Sequence, residues 1–372
     1  MAADTGQIVT VTGTIEPDDL GRTITHEHLF IHLVDPWFDE PETAVEKELA
    51  KEPVSLDNLW FVRKNLMNSR DNLIKASHED SVDEVMGFVR EGGDAIVDVT
   101  PKNVGGDPER VRSVSRETGV SVVHGTAHYL QAVHLDRVAT AGVDEIADEF
   151  VSDVEEGIDD TDVRAGIVGE IGTSYHPESD SEILIHEEED KVLRAGARAS
   201  LRTGAALTVH PPGRTKASQR DRTYPSSRWS LDLLDVIEEE GLPPERVIFC
   251  HLDRTNWEDV EYQKELAERG ANLEYDCWGR TETMLDYADA YPSDLWRLNQ
   301  IVELIEAGYG SQLVFSHDAA YKVDHKKYGG HGLSHVLDTV VPLMLDRGVD
   351  RDRIDQILVE NPKRILTFEE PQ

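Results

Sequence analysis

Short apolar runs alternate along the chain with longer segments whose apolar residues recur at helical spacing. Residues 81–91 have this helical spacing and end at Gly92-Gly93, and the apolar run 94–100 follows directly. Helical spacing also predicts helices over residues 108–118, 187–203 and 229–240. The predicted strands lie at residues 23–30, 94–100, 120–126, 163–170, 205–210, 246–251, 271–276 and 312–316. Strands that alternate with helices favour parallel pairing with right-handed crossovers.

This pattern predicts an α/β protein built as a single (β/α)8 TIM barrel, whose functional residues lie at the carboxyl ends of the strands. Two segments fall outside the rhythm. Residues 7–20 alternate apolar and polar positions and are expected to form capping strands at one end of the barrel. Residues 34–75 form an acidic, amphipathic helical insertion after the first barrel strand, which the pattern allows as a lid or as a wrapping helix. We expect one domain over residues 1–372.

The composition is strongly acidic. The chain has 74 Asp and Glu residues against 37 Lys and Arg, a formal net charge of −37. A surface of this sign repels nucleic acid and anionic membranes, so we expect neither as a partner. The surplus is spread through every segment, which is typical of halophilic proteins from a high-salt cytoplasm.

The two cysteines, Cys250 and Cys277, have no spacing that indicates a disulfide framework, which favours a reducing compartment. The first residues do not have the pattern of a signal peptide, and no apolar run approaches the roughly 18 residues that cross a bilayer. We therefore expect a soluble, cytoplasmic protein that acts on a small-molecule substrate. A homodimer is compatible with the sequence.

Candidate metal ligands lie at the ends of the predicted strands. His26 and His28 are two residues apart in a strand and should point to the same side, although such a pair alone is equally consistent with two solvated histidines. The joint pattern is more informative, because four imidazoles and two carboxylates come from five strand ends. This set can hold two divalent ions bridged by Glu170 and a hydroxide; zinc suits it best, and manganese, cobalt or iron remain open. Its members are His26, His28, Glu170, His210, His251 and Asp318.

Several motifs together resemble the phosphotriesterase family of the amidohydrolase superfamily, which includes parathion hydrolase-like proteins, phosphotriesterase homology proteins and lactonases. The motifs are GRTITHEHL at residues 21–29, VDVTP at 97–101, GDP at 106–108, VGEIGTS at 168–174, HLDR at 251–254, SHD at 316–318 and ENPKRIL at 360–366. The resemblance implies that His26, His28 and Asp318 hold a buried metal ion, and that His210 and His251 hold a more exposed one. It also implies that Glu170 bridges the two ions, as in the branch that needs no carboxylated lysine.

What the resemblance implies for the chemistry is a hydroxide nucleophile held between the two ions. Asp318 would then be both a ligand and the catalytic residue that accepts the proton of the nucleophile and later protonates the leaving oxygen.

The sequence also departs from the family pattern. After Asp276 it has Cys277, where phosphotriesterases carry a relay His and lactonases often carry Arg, so fast phosphotriester hydrolysis is not expected. Tyr129 matches the tyrosine that lactonases present to the substrate; a packed aromatic is the alternative. Arg254 is a second candidate for substrate binding, unless it pairs with Asp253. Lys322, in the lysine-rich loop 319–331, could attract an anionic substrate or belong to a solvated cluster.

The leading hypothesis is therefore a dimetal-dependent hydrolase, a lactonase or esterase. One alternative is an aryl-dialkylphosphatase, that is, a phosphotriesterase. A mononuclear amidohydrolase-type deaminase is another, but deaminases usually lack a carboxylate that bridges metals on the fourth strand. The last alternative is a barrel that keeps its metal only for stability.

Overall fold

A computed structural model describes residues 5–213, 229–254, 259–280, 283–284 and 289–372. Its central element is a sheet of eight strands in chain order, each hydrogen-bonded in parallel to the next. The strands are β1 (Thr23–Glu27), β2 (Ala95–Asp98), β3 (Ser121–Thr126), β4 (Ile167–Gly172), β5 (Leu207–His210), β6 (Val247–Phe249), β7 (Asn272–Tyr275) and β8 (Leu313–Phe315).

Hydrogen bonds between the ends of β1 and β8 bring the two edges of the sheet together. The Asp318 N–H donates to the carbonyl oxygen of His26 over 3.1 Å. The Ser316 hydroxyl donates to the same carbonyl and accepts the His26 N–H, each over 2.8 Å. With helices between its strands, this sheet is the predicted (β/α)8 TIM barrel, so the predicted fold class is confirmed.

In the described part of the chain, seven helices of nine or more residues connect the strands. They are α1 (His78–Arg90), α2 (Pro108–Thr118), α3 (Val143–Glu155), α4 (Glu187–Thr203), α5 (Trp229–Glu239), α6 (Val260–Glu268) and α7 (Asp294–Glu306). The first begins three residues before its predicted start because the Ser77 side chain caps it by accepting the Asp80 N–H over 3.1 Å.

The remaining helical segments are short. Besides the three short helices of the insertion after β1, they include the α-helical segments Asp136–Thr140, Val341–Asp346, Arg351–Asp355 and Asn361–Leu366, the π-helical turns Val336–Val340 and Gln356–Glu360, and the 3-10 turns Pro17–Asp19, Leu66–Asn68, Asp71–Leu73, Lys102–Val104, Gln131–Val133, Pro244–Arg246, Gly310–Gln312, Lys322–Asp324 and Lys326–Tyr328. Among the described residues, no helix has the length and apolar character to cross a membrane.

Apolar side chains fill the barrel in two layers, because successive residues of a strand point to opposite sides. The layer between strands and helices forms the largest cluster, with Val168, Val209 and Phe249 on the strands. The barrel interior is a separate cluster, which includes Ala95, Val97, Val99, Val123, Ile167, Ala206, Ile248 and Val314.

The two segments that do not belong to the alternation of strands and helices lie at the two ends of the barrel. Ile8–Thr10 and Gly13–Ile15 pair as an antiparallel hairpin, and the Val11 N–H donates to the Val122 carbonyl near the start of β3. At the other end, residues 34–75 include the helices Val34–Trp37, Ala44–Leu49 and Leu59–Val62. This insertion is tied down by a short antiparallel ladder between Ile31–His32 and Ile74–Lys75. A further two-stranded ladder joins Thr283–Met284 to Asp289–Ala290.

The insertion packs around its own hydrophobic cluster, separate from the two layers of the barrel. Phe61, Val62, Leu66 and Leu73 of the insertion are buried there, together with Tyr321 from the loop after β8. Because this cluster lies on the carboxyl side of the strands, the insertion covers one flank of the predicted functional end.

Candidate metal centre and its cavity

A cavity of about 920 Å³, counted with the solvent space at its mouth, opens at the carboxyl ends of the strands. Five of the six predicted metal ligands line it: His28, Glu170, His210, His251 and Asp318. The sixth, His26, lies fully buried beneath them. The apolar part of the wall consists of Ile31, Leu33, Trp37, Met67, Val104 and Leu130.

The first group of ligands joins the end of β1 to the loop that follows β8. Ligand atoms of His26, His28 and Asp318 all lie within 4.8 Å of one another. His28 Nε2 is 3.2 Å from Asp318 Oδ1. The two histidines therefore face the same centre, as their spacing predicts, although His28 lies just beyond the end of β1.

The second group surrounds Glu170. Its Oε1 atom lies 2.6 Å from His210 Nδ1, 3.1 Å from His251 Nε2 and 3.6 Å from His26 Nε2. The two nitrogens of His210 and His251 are themselves only 2.8 Å apart. Glu170 therefore lies between the two groups of histidines, where a carboxylate can contact metal ions on both sides.

Two of these residues have an unusual backbone. His251 has a φ of 59° and Asp318 a φ of 47°, in the left-handed region that residues other than glycine rarely adopt. Both follow a barrel strand, and at both positions the chain turns sharply while the side chain points into the cavity. Such conformations cost roughly 1–3 kcal/mol each and concentrate at functional sites.

The charges of the site suit a cation. Burial would raise the pKa of Glu170, but His26 and His210 outweigh it and hold that pKa well below its ordinary value, so the carboxylate is ionised. Burial and the neighbouring His251 lower the pKa of His210 to about 4, which leaves a neutral imidazole. Burial would also lower the pKa of His26, yet Glu170 raises it well above its ordinary value, so the site attracts positive charge.

The residues present fit divalent transition metals. His26 Nε2 is buried without a hydrogen-bond partner in the described part of the chain, which is costly for a polar atom unless a ligand completes it. Imidazole nitrogens and carboxylate oxygens that converge in this way are the donor set of zinc and its neighbours. These clusters of buried ligand atoms therefore support metal binding.

Hydrogen bonds to the outer ring nitrogens orient three of the histidines. His26 Nδ1 lies 3.1 Å from Glu274 Oε2, His28 Nδ1 lies 2.9 Å from Thr100 Oγ1, and His251 Nδ1 lies 2.9 Å from Asp276 Oδ1. Each bond leaves Nε2 facing the centre. Sequence analysis missed Glu274 and Thr100 as partners of the ligands, although both lie at strand ends.

Sequence analysis also missed Arg280, which lines the cavity beside Asp318. Its guanidinium lies 3.3 Å from Asp318 Oδ2 and donates to the Asp318 carbonyl oxygen. The same side chain pairs with Asp324 over 3.1 Å and donates to the Tyr291 hydroxyl over 3.0 Å. Burial would raise the pKa of Asp318, but Arg280, followed by His28 and His251, outweighs it and holds that pKa well below its ordinary range.

The predicted substrate contacts fall in different places. Tyr129 lines the cavity, and its hydroxyl lies 3.3 Å from His210 Nδ1. Arg254 also lines the cavity. Burial and Glu170 raise the pKa of Tyr129 well above its ordinary value, and the charge of Arg254 opposes this rise. Lys322 is not among the lining residues, because its ammonium group bonds Asp71 Oδ1 over 2.6 Å.

Asp253 and Cys277 have neighbours that the sequence did not predict. Asp253 pairs with Arg297 over 2.7 Å and accepts the Cys277 N–H over 2.9 Å. Cys277 is buried, with its sulfur 3.5 Å from Asp276 Oδ1. Burial raises the pKa of this thiol, which leaves it protonated at the position where phosphotriesterases place a relay histidine.

Comparison with known proteins places these features in context. The chain matches the model of the phosphotriesterase family over residues 6–366. It is 35% identical to the N-acetyltaurine hydrolase of Salmo salar, over 99% of this chain and 100% of that protein. A resiniferatoxin-binding protein from Rhodobacter sphaeroides superposes with a TM-score of 0.88 at 35% identity, over 98% of this chain and 96% of that one. A lactonase from Listeria monocytogenes superposes with a TM-score of 0.74 at 25% identity, over 98% and 100% of the two chains.

Proposed function

The chain belongs to the phosphotriesterase family and is a hydrolase. We propose that it uses two divalent metal ions, with zinc as the first candidate, to cleave a small N-acyl amide that carries an anionic group. The observation that carries this proposal is the convergence of His26, His210 and His251 on one oxygen of Glu170. The amide class is supported by the similarity to an N-acetyltaurine hydrolase over the full length of both proteins.

In this proposal the metal ions, when bound, supply Lewis acidity that activates water and polarises the scissile carbonyl. Asp318 accepts the proton of the attacking water on a carboxylate oxygen and returns it to the leaving nitrogen. Arg280 and His28 hold this carboxylate from its two sides, at 3.3 and 3.2 Å, so that it remains ionised and oriented toward the cavity. The Tyr129 hydroxyl, beside His210, is positioned to donate to the substrate.

The cavity supports a substrate with one apolar and one anionic end. Its wall includes Ile31, Leu33 and Trp37 on one flank, which can hold an acyl group, and Arg254 reaches the same space with a guanidinium. Arginine is the side chain best suited to bidentate recognition of a carboxylate or a sulfonate-like group. An anionic N-acyl amide would therefore place its charge on Arg254 and its carbonyl over Glu170.

A second candidate is hydrolysis of a lactone. The position of Tyr129 on the cavity wall favours it, because lactonases of the resembled family present a tyrosine there, and a Listeria lactonase shares the fold at 25% identity. Arg280 and Asp318 would act on a ring ester as they act on an amide. Phosphotriesters remain the least favoured substrates, because a protonated thiol at Cys277 cannot relay a proton at neutral pH.

A substrate panel separates these candidates. Metal-replete protein is assayed in molar salt with anionic N-acyl amides, their neutral analogues, lactones of several ring sizes and an aryl phosphotriester. We expect kcat/KM for the best anionic amide to exceed that for the best lactone by about 10-fold or more, because the ion pair between Arg254 and the anionic group stabilises only the bound amide. The highest value with a lactone would favour the second candidate, and the highest value with a phosphotriester would contradict both.

The role of Arg254 is tested by Arg254→Gln. We expect KM for an anionic amide to rise by roughly 10–100-fold, the worth of a charge-assisted hydrogen bond, while KM for a neutral analogue changes little. Lys322→Gln is the matched control, because it removes one positive charge from a side chain that bonds Asp71 and does not line the cavity. Equal losses with both substrates in Arg254→Gln would argue against charge recognition.

A further inference from the structure

Cys250 follows β6 and lies under the metal centre. It is two residues after Ile248, which belongs to the cluster inside the barrel, so both side chains enter the interior. The Cys250 sulfur and ligand atoms of His26, Glu170 and His251 all lie within 4.8 Å of one another. The sulfur is 3.7 Å from Glu170 Oε1, and the residue is fully buried.

A second observation at the same place points to a ligand. His26 Nε2 belongs to this group, is buried, and has no hydrogen-bond partner in the part of the chain that the structure describes. The Cys250 thiol is bonded to the Val209 carbonyl over 2.9 Å, so a buried, protonated thiol is the alternative state of this residue. The two states differ in whether the sulfur keeps its proton.

We propose that Cys250 supplies a thiolate to the metal centre, so that one ion has a sulfur ligand in addition to the nitrogen and oxygen ligands. The inference rests on the proposed function, since it requires the metal ions. On binding, the S–H bond is lost, a sulfur–metal bond forms, and the proton leaves to solvent.

A sulfur ligand changes which ions the site selects. Thiolate is a soft donor that favours zinc and cobalt, whereas imidazole and carboxylate alone discriminate weakly against manganese. The orphan nitrogen of His26, the Cys250 sulfur and the ligand atoms of Glu170 and His251 therefore define a position with a sulfur donor at the bottom of the centre.

Cobalt spectroscopy of the full chain tests this proposal. The protein is loaded with Co²⁺, its cobalt content is measured, and the near-ultraviolet sulfur-to-cobalt charge-transfer band is recorded for the parent, Cys250→Ser and Cys277→Ser. We expect the band in the parent and in Cys277→Ser, and its loss in Cys250→Ser with cobalt still bound. Cys277 is the matched control, because it is the other cysteine of the chain and is also buried near the site.

X-ray absorption on the zinc-loaded parent protein gives an answer that does not depend on any variant folding. We expect a sulfur scatterer at about 2.3 Å from zinc. We also expect Cys250→Ser to lose at least about 10-fold of the parent's preference for zinc over manganese in a competition assay.

The outcomes distinguish this inference from the proposed function. Protein that binds two ions but shows neither a sulfur scatterer nor the charge-transfer band would overturn the thiolate and leave the two-metal hydrolase standing. A band that persists in Cys250→Ser and disappears in Cys277→Ser would also overturn it. Protein that binds neither cobalt nor zinc would contradict the proposed function itself.

Discussion

Asp318→Asn is expected to lower kcat by about 10²–10⁴-fold in protein that still binds its metal. The amide oxygen of Asn can replace a carboxylate oxygen as a ligand, but the amide does not take up a proton at neutral pH. In the parent, Arg280 and His28 flank the carboxylate and its pKa lies well below the ordinary value, so Asp318 is ionised before the nucleophile attacks. Steady-state kinetics and elemental analysis of the same preparation provide the measurement.

Asp324→Asn is the matched control for this loss. Asp324 is the other carboxylate that pairs with Arg280, over 3.1 Å, and its amide analogue can still accept the Tyr321 N–H. We expect it to lower kcat by less than about 10-fold, because the proton acceptor remains. An Asp318→Asn protein with full metal content and nearly parental turnover would exclude Asp318 as the proton acceptor while leaving the metal site intact.

Glu170→Gln is expected to reduce metal content and kcat/KM together, the latter by about 10²-fold or more. The parent protein should contain close to two ions per chain. Glu170 is the residue whose Oε1 contacts three of the four ligand histidines, and the substitution removes the negative charge that offsets two cations. Elemental analysis after dialysis should show at least one ion lost from the variant.

The control is Glu274→Gln, which changes a buried carboxylate that bonds His26 Nδ1 from outside the centre. Loss of such an orienting contact usually costs 10–100-fold in metal affinity or activity, so we expect this variant to bind metal more weakly and to keep both ions at saturating metal. Full activity in parent protein that holds one ion or none would refute the bridged pair.

The barrel could be predicted from sequence because its evidence is local. Buried parallel strands appear as short apolar runs, and the helices between them show their own period. Seven of the eight strands therefore fall within predicted runs, and β4 extends two residues beyond its run. The strand ends were less accurate: His251 and Asp318 were assigned to strand ends, yet both have a left-handed backbone just beyond a strand. Backbone conformation at a turn depends on tertiary contacts that periodicity does not report.

The six candidate ligands could be located for the same reason, since each lies within three residues of the carboxyl end of a strand. Arg280 could not, because its partners Asp318 and Asp324 lie on another loop, 38 and 44 residues further along the chain. His317, which the sequence left without a role, has its Nδ1 bonded to Glu27, 290 residues away, and its Nε2 accepts the Val336 N–H. Such pairings exist only after the barrel has closed.

The lysine-rich loop after β8 illustrates a different limit. Composition located the positive charges, but it could not tell which carboxylates they would meet. In the structure Lys322 pairs with Asp71, Lys326 with Asp338 and Lys327 with Asp80. In a chain with twice as many acidic as basic residues, a lysine finds a carboxylate nearby more readily than it stays available to a substrate.

The hydrophobic cluster of the insertion makes the floor and the wall of the cavity independent modules. The ligands on the floor come from barrel strands, whereas Leu33, Trp37 and Met67 on the wall pack in or against a cluster that is separate from the barrel core. Evolution, or a designer, can therefore alter the acyl groups that this scaffold accepts without rebuilding its catalytic apparatus. A combinatorial library confined to these three wall positions is the economical way to redirect its substrate range.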